Sequence, residues 1–417
     1  MKFDVFFSIS QVPVEGRLPN EREMLQNFLD QVKAADDLGY KIAWVAEAHL
    51  SSQVQKKNPN PVIPHWEGEV GLNTDIFLLS EQVFSKTRRI ETGSAVMNLL
   101  SNGGPIAAAE RVAAFLSWHG LNTDETRKLN LGFAAGRFDF MNRAYGIVPK
   151  EEWEAQVWMN VRGKIFEEAA EIFLRLLKGE ALKSGDVPPR YLREEDFRNP
   201  KDWEALSKKY SPSFQGIGGK GFEVQKRFNF ESVKIIPEDW NRELLELYIG
   251  SHDPRVHKIV NEIYPTKVFN LSITQKDVIE NTHERMQKEF HPKGGSWKRE
   301  YMPRTTFVFI NEEKHLNPKA RSIQAKKEAH QALAHYWKAL EGTIDPLKIE
   351  KAADNALVGN AEEITTQMRE RFNSDDRLML WFDFFNHDSN RVIRNMQAFM
   401  EKVAPHFTNE MRNEKLK

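Results

Sequence analysis

The sequence contains no cysteine and no long apolar run. Its 417 residues include no Cys, which excludes disulfides, thiol nucleophiles and Cys-ligated zinc or iron–sulfur centres. No apolar stretch approaches the roughly 18 residues that a membrane-spanning helix needs. The first ten residues, MKFDVFFSIS, place Asp4 inside their apolar run and lack a small-residue cleavage site. We therefore expect a cytoplasmic protein with no membrane association, whose stability comes from packing.

An excess of charge of one sign is also missing. The chain has 59 Lys and Arg residues against 60 Asp and Glu residues, which gives a formal net charge of −1. This balance argues against a nucleic-acid partner, because nucleic-acid-binding proteins usually carry a basic surplus. Hydrophobic residues make up 40% of the chain and charged residues 29%. That composition is typical of a globular protein rather than a disordered one.

Several short motifs that would define a chemistry are absent. There is no HExxH helix, no GxSxG turn and no metal-ligand cluster in the sequence. Residues 216–221 satisfy the GxGxxG spacing, but no strand precedes them and no helical pattern follows. We interpret this segment as a flexible loop rather than a dinucleotide-binding turn, which needs that strand–turn–helix context.

Short runs rich in Val, Ile and Phe alternate with longer stretches of helical periodicity, which is typical of βα units. The pattern predicts eight strands, at residues 3–8, 41–46, 90–96, 129–133, 247–249, 267–270, 306–310 and 378–384. It predicts helices that include residues 21–38, 105–118, 153–177, 317–340 and 389–403. Eight such units favour a (β/α)8 TIM barrel, with an open doubly wound sheet as the alternative.

A long insertion interrupts this alternation after the fourth predicted strand. Residues 177–239 are charged, contain Pro and Gly, and show few apolar anchors. A long irregular segment inside a compact domain is usually functional. We therefore expect residues 1–417 to form a single domain, in which the insertion emerges on the catalytic rim and forms an active-site lid.

Polar residues follow several predicted strands, at the end where barrel active sites are built. His49 follows the second strand and is a candidate general base, with a satisfied structural histidine as the alternative. Asp253 and Pro254 predict the first turn of a helix. Its free N–H groups, Ser251 and Arg137 suggest a phosphate site, with a plain capped helix as the alternative.

Six segments at these strand ends share the order of one known family. They are the opening MKFDVFF with WVAEAHL at 44–50, TRRIETGSAVMNL at 87–99 with the helix that follows Pro105, residues 131–146, residues 230–237 leading into 247–251, residues 358–364 and residues 378–384. In this order they resemble the bacterial luciferase-like, flavin-dependent monooxygenases. The resemblance covers nearly the whole chain apart from the insertion.

The resemblance implies a TIM barrel that binds FMN across the strand ends. The residues that would surround its phosphate are Gly136, Arg137, Gly250, Ser251 and His252. Those that would lie near its ring are Ala95, Val96 and Asn98, and the family can place a non-proline cis peptide at residues 95–96. The first histidine of the family's His-His pair is Ala48 here, so His49 is the catalytic candidate that is left. Aromatic candidates for the substrate pocket are Phe7, His65, Trp66, Phe138 and Phe384.

The implied reaction is oxygenation of a small organic substrate, whose identity the sequence does not specify. Reduced FMN, supplied as a co-substrate by a separate flavin reductase, would react with O2 to give a flavin peroxide that the protein shields from water. The resemblance also implies a homodimer formed through the early helices. Two alternatives stay open: a deazaflavin-dependent oxidoreductase that transfers hydride on the same fold, and a non-catalytic flavin-binding subunit, which Ala48 would suit.

Overall fold

The structure is a computed structural model that describes residues 1–59, 61–210, 221–341 and 346–408. Its strands are β1 (Lys2–Phe7), β2 (Ile42–Val45), β3 (Glu91–Asn98), β4 (Leu129–Ala134), β5 (Arg190–Leu192), β6 (Phe222–Val224), β7 (Leu245–Ile249), β8 (Thr266–Val268), β9 (Arg304–Ile310), β10 (Leu357–Gly359) and β11 (Arg377–Trp381). The eight strands expected from the sequence are all present, each with bounds close to the predicted ones.

The helices lie between these strands, as βα units require. They are α1 (Glu21–Leu38), α2 (Ser52–Gln55), α3 (Ile76–Phe84), α4 (Gly104–His119), α5 (Asp139–Ala144), α6 (Glu152–Gln156), α7 (Trp158–Leu177), α8 (Pro200–Tyr210), α9 (Pro254–Ile263), α10 (Lys276–Glu289), α11 (Pro318–Glu341), α12 (Pro346–Asn355), α13 (Ala361–Arg371), α14 (Ser389–Lys402) and α15 (Pro405–Thr408). The predicted helix 153–177 is divided in two at Val157. Of the helices described, none is both long and apolar enough to cross a bilayer.

Eight strands form a closed parallel ring. The sheet has the order β10-β9-β11-β1-β2-β3-β4-β7-β8. Asn270, just after β8, closes the ring: its N–H donates to Pro303 O at 3.0 Å, and its carbonyl accepts from Thr305 N at 3.1 Å. The predicted (β/α)8 barrel is therefore confirmed, and the open sheet is not what this sequence forms.

β10 is a ninth strand, which the sequence pattern did not predict. Its Gly359 carbonyl accepts from Asn311 N at 3.1 Å, on the same side of β9 as the bond from Thr305 N to Asn270. Alternate residues of a strand direct their N–H groups to the same side. β10 therefore pairs with the second half of β9, in the gap left where β8 and β9 separate.

A buried ion pair lies at the amino end of the barrel interior. The Asp4 carboxylate is fully buried and accepts from Arg377 Nε at 2.7 Å, from Arg377 Nη2 at 3.0 Å and from Trp44 Nε1 at 2.8 Å. These contacts join β1, β2 and β11. An apolar layer lies above them, formed by Phe6, Trp44, Tyr248, Phe269 and Met379.

The insertion, residues 177–239, begins at the amino end of the barrel because α7 runs antiparallel to β4. It then returns along α7: Arg190 Nη2 lies 2.5 Å from Glu171 Oε2, and Asp196 Oδ1 lies 2.9 Å from Lys164 Nζ. It reaches the carboxyl rim near Phe228, against Gly104. The expectation that it emerges directly on the rim is therefore wrong.

The insertion also has apolar anchors, contrary to the sequence-based expectation. Its buried side chains include Leu182, Leu192, Leu206, Phe222 and Val224, which belong to the main core. Residues 216–220 of its Gly-rich run lie outside the described residues.

The Asp4–Arg377 pair predicts a large stability effect. Asp4→Asn should lower the free energy of unfolding by about 3–5 kcal/mol, because removing one partner leaves the Arg377 charge buried and uncompensated. Urea denaturation measures this change. Glu300→Gln is the matched control: it removes the partner of Lys2, whose side chain is 47% exposed, and should cost less than about 1 kcal/mol. Equal losses in the two variants would contradict the assigned role.

Candidate active site

The floor of the site is the middle of β3. The pairing of β3 with β4 shifts register between Ser94 and Met97, and the Ala95–Val96 peptide is cis, as the resemblance implied. Ala95 and Val96 are half-buried and face the barrel interior. A Cβ atom at Gly132 of β4 would lie 2.7 Å from Val96 Cγ1. Only glycine at position 132 therefore lets β4 pass this close to the irregular part of β3.

The loop after β4 is held by a pair of buried amides. Gly136 has φ +75°, and a Cβ atom there would lie 2.5 Å from Asn98 Cγ. Asn98 Nδ2 donates to Asn142 Oδ1 at 2.6 Å, and Asn142 Nδ2 donates to Ala135 O at 2.9 Å. Asn98, which was predicted to contact the cofactor, thus also positions the loop that follows β4. Asn142 was not predicted as a site residue.

The second wall of the site follows β7. Asp253 is the N-cap of α9 and Pro254 its first residue, so the predicted helix start is confirmed. The Asp253 carboxylate accepts from Arg255 N at 2.9 Å, and Ser251 Oγ accepts from Asp253 N at 3.2 Å. The helix is therefore capped by its own side chain, and this cap occupies one of the N–H groups that an anion would use.

His257 fixes the backbone of this wall. Its Nε2 donates to Ser251 O at 2.6 Å, and its Nδ1 accepts from Arg285 Nη2 at 2.6 Å. Burial, chiefly, lowers the pKa of His257 to about 4, so the ring is neutral and its single proton lies on Nε2. The sequence did not single out His257, because a buried histidine on a helix has no distinctive pattern.

His252 offers a ring nitrogen to the site. Its Nε2 lies 3.3 Å from Thr274 Oγ1, whereas its buried Nδ1 has no hydrogen-bond partner among the described residues. Burial lowers the pKa of His252. The predicted cofactor residue therefore carries a buried polar atom with unused hydrogen-bonding capacity.

Arg162 is a site residue that sequence reasoning missed. Phe166 and Phe173 of α7 contact Phe133 of β4, with ring centroids 6.3 and 5.4 Å apart. Arg162 lies four residues before Phe166, on the same helix face and one turn nearer the rim. It is only 7% exposed, and its Nη1 lies 3.5 Å from Asp139 Oδ1 without making a hydrogen bond to any described residue. Burial lowers its pKa.

Arg137, which the sequence predicted beside the phosphate, is exposed at the same rim. Its guanidinium carbon lies 5.4 Å from the centroid of the Phe138 ring. No described carboxylate lies within ion-pair distance of this guanidinium. Arg137 and Arg162 therefore place two positive charges by the loop that follows β4.

His49 has a carboxylate partner. Its Nε2 lies 3.0 Å from Glu47 Oε1, and the two side chains are 6% and 3% exposed. A carboxylate in this position orients an imidazole and selects its tautomer. Ala48, between them, packs with Phe140 and Met141 in an apolar cluster. The arrangement suits both a general base and a structural histidine, so the catalytic role stays a prediction.

Three of the predicted pocket residues lie in rim clusters of aromatic side chains. Trp66 and Phe384 both pack near Phe385, with ring centroids 6.3 and 4.9 Å apart, and Phe138 belongs to the same cluster as Trp66. Trp381, which was not predicted, links this rim to the floor. Its ring centroid lies 5.0 Å from that of Phe384, and it packs against the same buried cluster as Ala95 and Val96.

The other two predicted pocket residues are not part of these aromatic clusters. Phe7 points away from the barrel axis, where its ring is 5.2 Å from Phe28 of α1. His65 is exposed. A pocket role does not fit Phe7. Side chains alternate between the two faces of a strand, so Asp4 and Phe6 of β1 point into the barrel, whereas Phe7 points towards the helices.

The barrel, the cis peptide in β3 and the two guanidinium groups by the loop after β4 agree with what the family resemblance implied. Residues 1–202 match the family described as luciferase-like monooxygenase, so the family predicted from the sequence is confirmed over this part of the chain. The uncharacterized protein YwcH of Bacillus subtilis (strain 168) is 30% identical over 147 residues, which are 35% of this chain and 34% of that protein. The match thus spans about a third of the relative's length.

Solved structures share the fold over nearly the whole chain. The monooxygenase RslO1 from Streptomyces bottropensis has a TM-score of 0.66 and 15% identity, covering 98% of this chain and 100% of its own. The oxygenating constituent of 3,6-diketocamphane monooxygenase from Pseudomonas putida, in complex with FMN, has a TM-score of 0.56 and 12% identity, with coverages of 97% and 98%. An F420-dependent secondary alcohol dehydrogenase has a TM-score of 0.52 and 13% identity, with the same coverages.

The packing of Gly136 predicts a site-specific effect. Gly136→Ala should destabilise the protein and weaken the flavin binding that the resemblance implies, because a Cβ atom would displace Asn98 in addition to straining a positive φ. Gly146→Ala is the control, since Gly146 has φ +81° with nothing within 4 Å, and it should cost only about 1–2 kcal/mol. Thermal unfolding and flavin titration measure both. Equal behaviour of the two variants would show that Asn98 is not constrained by Gly136.

His257 predicts a pH dependence of stability. Because its folded pKa of about 4 lies below the ordinary value of 6.5, the unfolded chain binds more protons between these pH values. Stability is therefore full above about pH 6.5 and falls as the pH drops to about 4, by at most about 3 kcal/mol from this group. His257→Gln keeps a donor for Ser251 and should flatten the dependence in that window. His315→Gln, at an exposed histidine, should leave it unchanged; an unaltered slope in His257→Gln would contradict the assignment.

Proposed function

We propose that the protein is an FMN-dependent monooxygenase, which takes up reduced FMN and O2 and oxygenates a small organic substrate. The observation that carries the proposal is Arg162, a buried guanidinium with one unused donor nitrogen at the wall between β4 and β7. An arginine keeps its positive charge in proteins, so a buried guanidinium of this kind fits an anionic group. The phosphate of FMN would meet that requirement.

The rest of the site fits the two ends of FMN. Arg162, Arg137 and the unused Nδ1 of His252 suit a phosphate. Gly136 and Gly250 let the backbone of the two walls pack closely against Asn98 and Ala134. The ring end would rest on the small, half-buried side chains of β3, with Trp381 beside them. The proposed contacts use cofactor residues expected from the sequence, and they add Arg162.

Each residue has a distinct task in this proposal. Reduced flavin supplies the electrons for activation of O2. His257 holds the Ser251 carbonyl, and Arg162 binds the phosphate, so both orient the cofactor. The aromatic rim around Trp66 and Phe384 excludes water. His49, with its Nε2–H donated to Glu47, presents Nδ1 as the basic atom that accepts a proton.

Deazaflavin-dependent hydride transfer is the alternative, because the F420-dependent dehydrogenase has the same fold. Titration of purified apoprotein with FMN and with F420 separates the two cofactors. Oxygen consumption coupled to an oxygenated product, rather than to hydrogen peroxide alone, separates the monooxygenase from a non-catalytic flavin-binding subunit. Tight binding of F420 with no binding of FMN would overturn the proposal.

The phosphate contact predicts a preference for FMN over riboflavin. Arg162→Gln should weaken FMN about tenfold or more and change riboflavin little, since a charge-assisted hydrogen bond contributes about 1.5–3 kcal/mol. Fluorescence titration measures both affinities. Arg143→Gln is the matched control, because Arg143 pairs with the same Asp139 but lies 41% exposed. Equal losses of FMN and riboflavin affinity in Arg162→Gln would remove Arg162 from the phosphate site.

We further propose that a separate reductase supplies the reduced FMN, and that the part of the insertion near the carboxyl rim forms a lid.

We also propose that the protein forms a homodimer through its early helices. α1 and α3 expose Leu25 (44%) and Leu78 (63%), which are suitable interface side chains. Leu78→Glu should lower the molar mass in solution from dimer to monomer in light-scattering measurements. Ile323→Glu, at a residue 59% exposed on α11, should not; a monomeric parent protein would contradict the dimer.

A further inference from the structure

A cavity lies at the opposite end of the barrel from Gly136 and Ser251. It has a volume of about 330 Å³ and lies beside the first residue of β9 and the residue before β11, between α10 and the end of α13. Because the strands are parallel, this is the amino end of the barrel. The cavity is therefore separate from the flavin site proposed above.

Arg304 lines this cavity without a charge partner. It is half-buried, its Nε is buried without a hydrogen bond, and no described carboxylate lies within ion-pair distance of its guanidinium. The guanidinium carbon lies 5.1 Å from the centroid of the Phe372 ring, on the cavity wall. Burial lowers the pKa of Arg304. Withdrawing a cation from water without a partner is unfavourable, so this position is suited to an anion that enters the cavity.

The neighbouring charges differ in how they are paired. Arg299 is bound by Glu280, at 2.7 Å, and by Asp376, at 2.5 Å, so these two carboxylates are already engaged. Arg371 lines the same cavity, and the hydrogen bond described for its guanidinium goes to the Ala356 carbonyl at 2.8 Å. The guanidinium groups of Arg304 and Arg371 thus have no carboxylate within ion-pair distance among the described residues. One further cation and one further carboxylate, the exposed Lys276 and Glu370, line the cavity and offset each other in charge.

The cavity also has an apolar wall. Ile279, Met302 and Phe372 line it together with the two arginines. Its volume is at the lower end of the range of small-molecule sites. The wall would contact the body of an organic ligand, whereas an inorganic anion would leave it uncovered.

We propose that this cavity binds a small organic carboxylate, with the acid group between Arg304 and Arg371 and the hydrocarbon part against Phe372, Ile279 and Met302. The two arginines supply forked donors that match the geometry of a carboxylate. The site needs no flavin, so its existence does not depend on the proposed activity.

Isothermal titration calorimetry with the full chain tests the proposal, with hexanoate as the probe. Hexanoate should bind saturably, while acetate, which lacks the apolar body, and inorganic phosphate should bind more weakly. Sodium chloride at matched ionic strength should give no saturable heat. No saturation by hexanoate, or phosphate binding tighter than hexanoate, would overturn the proposal.

Single substitutions test whether Arg304 and Arg371 bind the carboxylate. Arg304→Gln should weaken hexanoate binding about tenfold or more. It should not lower the stability of the ligand-free protein, because it removes a half-buried charge that has no ion-pair partner among the described residues. Arg371→Gln gives a second reading and should also weaken hexanoate. Arg369→Gln, at an exposed arginine on the same helix, is the control and should bind as the parent does. Unchanged affinity in both Arg304→Gln and Arg371→Gln would refute the site.

Discussion

The close approach of β3 to its neighbours is the constraint on which the rest of the site depends. Around Val96 and Asn98, three positions leave no ordinary room for a Cβ atom: Gly132, Gly136 and Gly250. Because these glycines let the backbones come together, the irregular part of β3 can face the barrel axis and the loop after β4 can fold over Asn98. The floor and both walls of the site therefore follow from backbone packing before any charged group is considered.

Three arginines in different parts of the barrel differ in how completely they are paired with carboxylates. Arg377, at the amino end of the interior, has the fully buried Asp4 as a two-point partner. Arg162, behind the carboxyl rim, has only a 3.5 Å approach to Asp139. Arg304 has no carboxylate within ion-pair distance among the described residues. Since a guanidinium cannot shed its proton, the completely paired Arg377 fits a structural role, whereas the incomplete pairing of Arg162 and Arg304 is the basis of the two anion sites proposed above.

Much of the fold could be predicted from the sequence, because strands buried on both faces are continuous apolar runs. The strands that escaped, β5, β6 and β10, have three residues each, which is too few to show a period. β8 is as short, but its place in the alternation of strands and helices made it predictable. The family resemblance located the cis peptide and the two walls. Arg162 and His257 could not be found this way, because they lie on helices and their roles depend on which strand end each helix face covers. The prediction that Phe7 lines the pocket was wrong, although the alternation of side chains along β1 places Phe7 on the outer face, opposite to Asp4 and Phe6.

The replacement of the family's first histidine can now be explained in physical terms. The Ala48 side chain packs with Phe140 and Met141, and a Cβ atom at Gly71 would lie 3.0 Å from Ala48 Cβ. An imidazole at position 48 would have to displace one of these neighbours or be buried without a polar partner, which is unfavourable. The position therefore extends the apolar wall that Phe138 continues. His49, the next residue, keeps an imidazole on this side of the barrel, with its Nε2 3.0 Å from Glu47 Oε1.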